Sequence, residues 1–470
     1  MNRMRSFKLT IVIVSFLLCI FFSCKNKNTT TPTETSSIQL PNIILLIGDD
    51  QGYPYFGFMG ADYVYTPNMD TLAASSTLFT NGYVPANHCR PSLQSLMTGT
   101  LPIDYEKEVA QLVQKAVSNK KFDTPESKRL FERDFRHHAM KNFTTLPTLL
   151  AQKGYSSFQG GKWWEFNYQN GGFTHGMTDG WTPEERKPGG NWFKKFMGGK
   201  GLQLARATME PVYAFIKNNG DQPFFIWFAP ELPHFPLNAP EKYYRLYRDK
   251  EMTESAKRYY ANCTWFDDSV GELIRYLKAT DKFENTLFVY VNDNGWEQNP
   301  NQEFRADSMR WHNGGDKGKL SMYDQSFRTP IIFSWSGTIP TNTRKMDLIH
   351  SSDIPATILD YVGIHTPASY FGQSYKSVIE GTNSNLRKDI VGRITQSRSE
   401  TDMMGRKLEG YWLRNEKWFF NWNATDGVYS LFDIEDDPFS TKNLVQEYPD
   451  LVEQYGEQLR QWKAKKARTN

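Results

Sequence analysis

Four uninterrupted apolar runs stand out along the chain: PNIILLIGDD (41–50), QPFFIWFAP (222–230), NTLFVYVNDNG (285–295) and TPIIFSWSG (329–337). A strand with one wet face alternates apolar and polar residues, whereas continuous runs of this length suit strands buried on both faces of a parallel sheet. Between and around them, apolar residues recur at helical spacing over 145–153, 204–218, 259–278 and 352–362. Strand and helix in this alternation predict an α/β fold, with a mostly parallel central sheet flanked by helices. From about residue 385 the pattern changes. GYWLRNEKWFFNWN and GVYSLFDIEDDP read as short antiparallel strands, followed by a helix over 449–466. The expected organisation is therefore a main domain over 41–384 and a small antiparallel α+β subdomain over 385–470. Residues 103–142 read as a charged, helix-prone insert with few apolar anchors.

The N-terminus follows a different pattern. Arg3, Arg5 and Lys8 precede an apolar run from Leu9 to Phe22, fourteen residues long. A membrane-spanning helix needs about 20 such residues, so this run fits an export signal. It ends on Ser23-Cys24 and a polar Thr/Ser-rich stretch. That arrangement resembles a bacterial lipoprotein signal, with residues 1–23 removed, Cys24 lipidated and 24–40 serving as a tether. The expected address is the bacterial envelope, periplasm or cell surface, with a lipid anchor at Cys24 as the only membrane contact.

Composition adds two constraints. Removing the leader, which carries three cations and no acid, takes the formal net charge from +3 to zero. No basic stripe remains to suggest nucleic-acid binding. Aromatics reach 15%, with 13 Trp and 24 Tyr, as in a loop-rich enzyme with an aromatic-lined cleft. Of the four cysteines, Cys19 and Cys24 belong to the leader, so only Cys89 and Cys263 remain for the fold. In an exported protein these two either pair, stay as separate thiols, or divide into one functional and one buried residue. Cys263 sits in a helical pattern that places it in a core.

Chemistry gathers at the ends of the apolar runs. Asp49-Asp50 closes the first, and two adjacent carboxylates there repel each other unless a cation compensates. Asp293-Asn294 closes the third. Four hard oxygen donors from two strand ends suit Ca²⁺ or Mg²⁺ rather than zinc. Lys162 (QGGKWW) and Lys319 (GKLSMY) lie in glycine-containing loops and offer compact charges for an anionic ester. His234 is held between prolines in APELPHFP, as suits a general acid or an anion-binding imidazole. Trp163, Trp164, Trp181 and Trp192, with Arg186, His175 and His312, are candidates for a sugar-binding rim.

Taken in order, these segments resemble the type I, formylglycine-dependent sulfatases of the alkaline phosphatase superfamily. The resemblance runs through Asp49-Asp50, Cys89-Arg90-Pro91-Ser92 with Thr98-Gly99, Gly161-Lys162-Trp163 and Pro233-His234-Phe235-Pro236. It continues in Asp293-Asn294-Gly295, Lys319 before Arg328-Thr329-Pro330, SSDIPATILDYVGI and YSLFDIEDDPFSTKNL, covering about 41–445. It implies that a maturation enzyme, of the formylglycine-generating or anaerobic sulfatase-maturating kind, oxidises Cys89 to formylglycine. One Ca²⁺ would then be bound by Asp49, Asp50, Asp293, Asn294 and the residue made from Cys89. Lys162, Lys319 and His234 would contact the sulfate and the leaving oxygen. The implied activity is sulfate-ester hydrolysis through a covalent intermediate, on a sulfated carbohydrate. Two positions depart from the family pattern: the motif arginine is Leu93, and the histidine after Lys-Trp is Trp164, followed by Glu165. A phosphodiester or phosphonate hydrolase with the same site, or a glycan-binding pseudoenzyme, is the competing expectation.

Overall fold

Alternate residues of the central strand β1 (Asn42–Gly48) face two different cores. Ile43, Leu45 and Ile47 pack on one side of the sheet and Ile44 and Leu46 on the other. This is the physical meaning of the uninterrupted apolar run, since both faces are dry. The computed structural model describes residues 39–182, 185, 192–296, 317–394 and 409–468. The expected leader, Cys24 and all but the last two residues of the tether lie outside the described residues, as do Arg186 and His312.

The main sheet continues with β2 (Thr77–Tyr83), β3 (Ser156–Gly161), β4 (His175–Gly176), β5 (Phe224–Ala229) and β6 (Thr286–Asn292). Its remaining strands are β7 (Arg328–Ser334), β8 (Thr343–Lys345) and β9 (Ile349–His350). The spatial order is β4-β3-β5-β1-β6-β7-β2-β8, with β9 also pairing with β2. From β4 to β6 every pairing is parallel, while β7 runs antiparallel to both β6 and β2. One face is covered by α2 (Cys89–Thr98), α3 (Pro102–Ser118), α5 (Leu146–Leu150), α10 (Asp353–Tyr361) and α11 (Lys376–Ile379). The other is covered by α1 (Pro67–Ala74), α7 (Glu210–Asn218) and α9 (Glu254–Ala279). Helices α4 (Pro125–His137), α6 (Trp192–Met197) and α8 (Glu241–Tyr244) lie in the connections.

Two expectations are corrected. The helix expected over 204–218 starts only at Glu210, because Ala205 adopts a left-handed φ of 60° and Leu204 bridges Thr208 in a turn. The 103–142 insert is better anchored than its charge suggests. Tyr105, Val109 and Val113 of α3, spaced by four, pack into the same core as Leu93 and Leu96 of α2.

The second sheet is antiparallel, formed by β10 (Asp389–Ile394), β11 (Gly410–Asn415), β12 (Trp418–Asn423) and β13 (Val428–Asp433) in sequence order. Here alternation is again decisive. Tyr411 and Leu413 share a core with Tyr455 and Leu459 of α12 (Pro449–Arg468), while Trp412 packs with Tyr83 and Phe327 of the main fold. Lys317 clamps this region from the main fold, its Nζ donating to the carbonyls of Phe439 (2.8 Å) and Ser440 (2.6 Å). Among the described residues no helix is long and apolar enough to cross a membrane.

Candidate active site

Gly48 of β1 stands opposite Asn292 of β6, so Asp49-Asp50 and Asp293-Asn294 leave the sheet side by side at its carboxyl edge. The Asp50 N–H donates to Asp293 Oδ1 at 3.0 Å. Asp50 itself takes a left-handed φ of 63°, uncommon for a residue with a Cβ, and is held there by Tyr259 of α9. The Tyr259 hydroxyl donates to Asp50 O (2.7 Å) and accepts from the Gly52 N–H (3.2 Å).

Cys89 is the first residue of α2, where helix polarity favours an anion, and only 5% of it is exposed. Its Sγ and one oxygen each from Asp49, Asp50 and Asp293 all lie within 4.8 Å of one another. Lys162 follows Gly161, whose φ of 93° and contact with β5 admit no side chain: a Cβ there would sit 1.9 Å from Ala229 O. The turn delivers Lys162 Nζ to 2.6 Å from Asp49 Oδ1 and 3.1 Å from Cys89 Sγ. Lys319 reaches the neighbouring carboxylate, its Nζ 2.8 Å from Asp50 Oδ2.

His234 Nε2 lies 3.6 Å from Asp50 Oδ2, and its Nδ1 faces Phe235 O, so both ring nitrogens address oxygen atoms. The loop that carries it contains Pro230, Pro233, Pro236 and Pro240, which leave carbonyls but few N–H groups to satisfy them. Arg206 and Asn262 supply the missing donors. Arg206 donates to Glu231 O (2.8 Å), His234 O (2.6 Å) and Pro236 O (3.3 Å), and Asn262 Nδ2 to Pro233 O (3.2 Å) and Pro236 O (3.1 Å). Asn262 lies one helical turn beyond Tyr259, so a single face of α9 supports both Asp50 and His234. Sequence reasoning missed Tyr259, Asn262 and Arg206; the proline density of the His234 loop was the available signal.

The electrostatics follow from crowding. Burial raises the Asp293 carboxyl well above the usual range, with the Asp49 charge adding to it. Burial acts on Asp50 too, but the cations of Lys319, His234 and Lys162 hold it well below. For Lys162 burial favours the neutral amine, yet Asp49 and the neighbouring anionic groups outweigh it and raise the ammonium. Burial pushes the Cys89 thiol up against the pull of Lys162 and Lys319. Asp49 Oδ2, Asp293 Oδ2 and Asn294 Oδ1 are buried without hydrogen-bond partners. Each such oxygen costs about 1–3 kcal/mol. Three partnerless oxygens among clustered carboxylates fit a hard divalent cation.

Cys89 and Cys263 are both free and buried; Cys263 sits among Tyr259, Tyr260 and Trp296. The candidate rim divides. Trp163 is 2% exposed and packs edge-on against Trp227 and Phe173, which makes it a core residue. His175 lies on β4 against Phe215, level with Phe158 and away from the carboxyl edge of β3. Trp164 does border the site, with its ring 5.5 Å from Lys162 Nζ, and joins Phe193, Phe196 and Trp192 in one cluster, whereas Trp181 is buried beneath it against His137 and Phe166 and is not a rim residue.

The family profile described as Sulfatase matches residues 41–364, and that described as N-sulphoglucosamine sulphohydrolase, C-terminal, matches 314–465. An arylsulfatase of Clostridium perfringens is 22% identical, covering 88% of this chain and 92% of its own. An ulvan-active sulfatase of Formosa agariphila is 20% identical over 98% of this chain and 89% of its own. A solved structure described as a complex with its substrate D-glucosamine-2-N,6-O-disulfate superposes with a TM-score of 0.69 at 17% identity, covering 92% and 99%.

Proposed function

Because the chain belongs to the sulfatase family, and so is a sulfuric ester hydrolase, we propose that it cleaves sulfate esters of a glycan with a formylglycine made from Cys89. One calcium ion would be held by Asp49, Asp50, Asp293, Asn294 and the residue made from Cys89. The observation that carries this reading is the trio of partnerless buried oxygens, Asp49 Oδ2, Asp293 Oδ2 and Asn294 Oδ1, beside a Cys89 Sγ 3.1 Å from Lys162. When bound, the ion supplies fixed positive charge for the transferring group, and the hydrated aldehyde supplies the attacking hydroxyl.

The chain's own residues do the rest. Lys162 at Asp49 and Lys319 at Asp50 would neutralise sulfate oxygens. His234 is positioned to give a proton to the departing sugar oxygen. Near-complete burial of Asp49, Asp50 and Lys162 keeps bulk water from screening these charges. The glycan assignment is supported by the aromatic cluster bordering Lys162, since indole faces stack on pyranose rings. The ulvan-active relative and the disulfated-glucosamine complex point the same way. Export as a lipoprotein anchored at Cys24 belongs to the same proposal and would place the enzyme where polysaccharides arrive. Maturation then requires an enzyme that accepts Cys-Arg-Pro-Ser-Leu.

The test is mass spectrometry of the peptide spanning 87–99 from protein made in its native host, alongside sulfate release from sulfated sugars with and without chelator. Formylglycine at position 89 and chelator-sensitive sulfate release are expected. An active preparation carrying only thiol at position 89 overturns the nucleophile. Full activity of Cys89→Ala overturns every role for this side chain in turnover, and preferential release of phosphate from matched esters overturns the substrate class.

A further inference from the structure

Cys89 hangs between the two loops that carry the lysines. On its N-terminal side Asn87 is tied to the Lys319 loop: Leu320 N donates to Asn87 O (2.9 Å), and Asn87 Nδ2 to Ser321 O (3.3 Å). On its C-terminal side Arg90 is tied to the Lys162 loop. Arg90 Nε and Nη2 donate to Glu165 Oε1 and Oε2 at 2.8 and 2.9 Å, a two-pronged ion pair in which the Glu165 side chain is 3% exposed. Gln94, one turn further along α2, donates to Glu165 Oε1 at 2.9 Å, and Asn170 Nδ2 holds the Glu165 carbonyl at 2.9 Å. At the start of helix α2, His88 makes no side-chain cap bond, and Ser92 Oγ donates to Ala86 O at 3.2 Å. Leu93, at the position of the motif arginine, is 5% exposed and packs in the core, so it offers no polar support.

We infer that the Arg90–Glu165 bridge, braced by Gln94, is the positioning device that fixes the nucleophile-bearing end of α2 against Lys162. This rests on the reading of residue 89 as the nucleophile. The departure at Leu93 then has an explanation. Support supplied elsewhere by an arginine four residues after the cysteine is moved to the residue directly after it, and the carboxylate it needs is Glu165, directly after Trp164. Arg90 and Glu165 are positioning residues, since both Glu165 oxygens accept from Arg90 and the Glu165 side chain is 3% exposed.

Glu165→Gln keeps the size of the side chain and removes the charge; Arg90→Gln removes the opposite charge with a shorter side chain. Each is expected to lower kcat about 30-fold with KM changed less than about twofold, the scale of a small misplacement of a reacting group. The double variant should lose no more than either single one. Calcium binding and the state of residue 89 should be unchanged. A second readout is independent of turnover. In protein made without a maturation enzyme, the 87–99 peptide should be alkylated at Cys89 at least about fivefold faster in Glu165→Gln than in the parent. A parent inactive on every sulfate ester, with this alkylation difference present, sinks the proposed function and upholds the bridge. A rise in KM at constant kcat makes Arg90 a substrate contact and overturns the inference. Additive losses in the double variant, or unchanged kcat with unchanged alkylation, also overturn it.

Discussion

Two buried clusters of charge in this protein are built on opposite principles. At the carboxyl edge of β1 and β6, three carboxylates and a thiol meet Lys162, Lys319 and His234, and three oxygens have no hydrogen-bond partner. Where the C-terminal sheet meets the main fold, one carboxylate, Asp324, meets two guanidiniums, Arg328 and Arg414. There Tyr83 donates to Asp324 Oδ1 (2.7 Å) and accepts from Arg414 Nε (2.6 Å). Arg328 donates to Thr80 O and Asn81 Oδ1. The surplus positive charge rests on aromatic faces, with Arg328 4.5 Å from the Tyr53 ring and Arg414 5.6 Å from that of Tyr83. The junction sets two guanidiniums against its one carboxylate, and even Asp324 Oδ2, which has no hydrogen-bond partner, lies 3.9 Å from Arg328 Nη1. The site instead crowds three partnerless oxygens, on Asp49, Asp293 and Asn294, into one place, and groups gathered so are stability held back for a ligand.

The sharpest way to break that contrast is to remove one site carboxylate. Asp293→Asn should abolish calcium binding by calorimetry and cut sulfate release by about 1,000-fold. The same substitution relieves repulsion among the carboxylates, so in chelator the variant should be more stable than its parent by about 1 kcal/mol. Loss of stability in chelator would show that the cluster is balanced by the protein alone.

The junction should respond in the opposite sense. Asp324→Ala leaves two buried guanidiniums without their carboxylate and should cost about 3–5 kcal/mol in denaturant unfolding. Activity per folded molecule should be kept, because the Asp324 carboxylate pairs with Tyr83, Arg328 and Arg414 and with none of the site side chains. An activity loss larger than the folded fraction explains would make the two clusters one coupled system.

How far these clusters can be read from the chain differs for the same reason. The site residues sit directly after apolar strands, at Asp49-Asp50 and Asp293-Asn294, so parallel pairing alone brings them together. The buried runs likewise announce the sheet, and the shift after residue 385 announces the second one. The supporting residues carry no such mark. Asn262 and Tyr259 look like any polar positions on a helix, and their partners lie far away in the chain. Glu165 is visible only as an acid after Trp164, and its meaning depends on Arg90 lying across the site. Trp163 misleads for a related reason: a tryptophan beside a catalytic lysine reads as a rim residue, but the chain turns it inward onto Trp227. Strand-end chemistry is local and legible, whereas long-range bracing is fixed only by the packing of α9 and α2 on the sheet.

A third buried pair gives the smallest effect and tests the junction's principle of internal balance. Asp353 at the start of α10 accepts from Arg387 Nε (3.0 Å) and Nη2, His350 N (2.9 Å) and Gln373 N (2.9 Å), so its charge is fully answered. His350 is completely buried beside it, and its Nδ1 accepts from Ser352 N at 3.1 Å. Burial, reinforced by the Arg387 charge, holds this imidazole well below its usual range. The unfolded chain takes up the proton near the ordinary value of 6.5 and the folded one does not. Below that pH the unfolded state therefore binds more protons, and stability present above 6.5 is lost as the pH falls. The loss should approach about 1.4 kcal/mol per pH unit between 6 and 5. His350→Gln cannot take up the proton, so its denaturation midpoint should depend less steeply on pH across that window. Parallel curves for parent and variant would mean that His350 can be protonated in place, and that a balanced pair still tolerates one more cation.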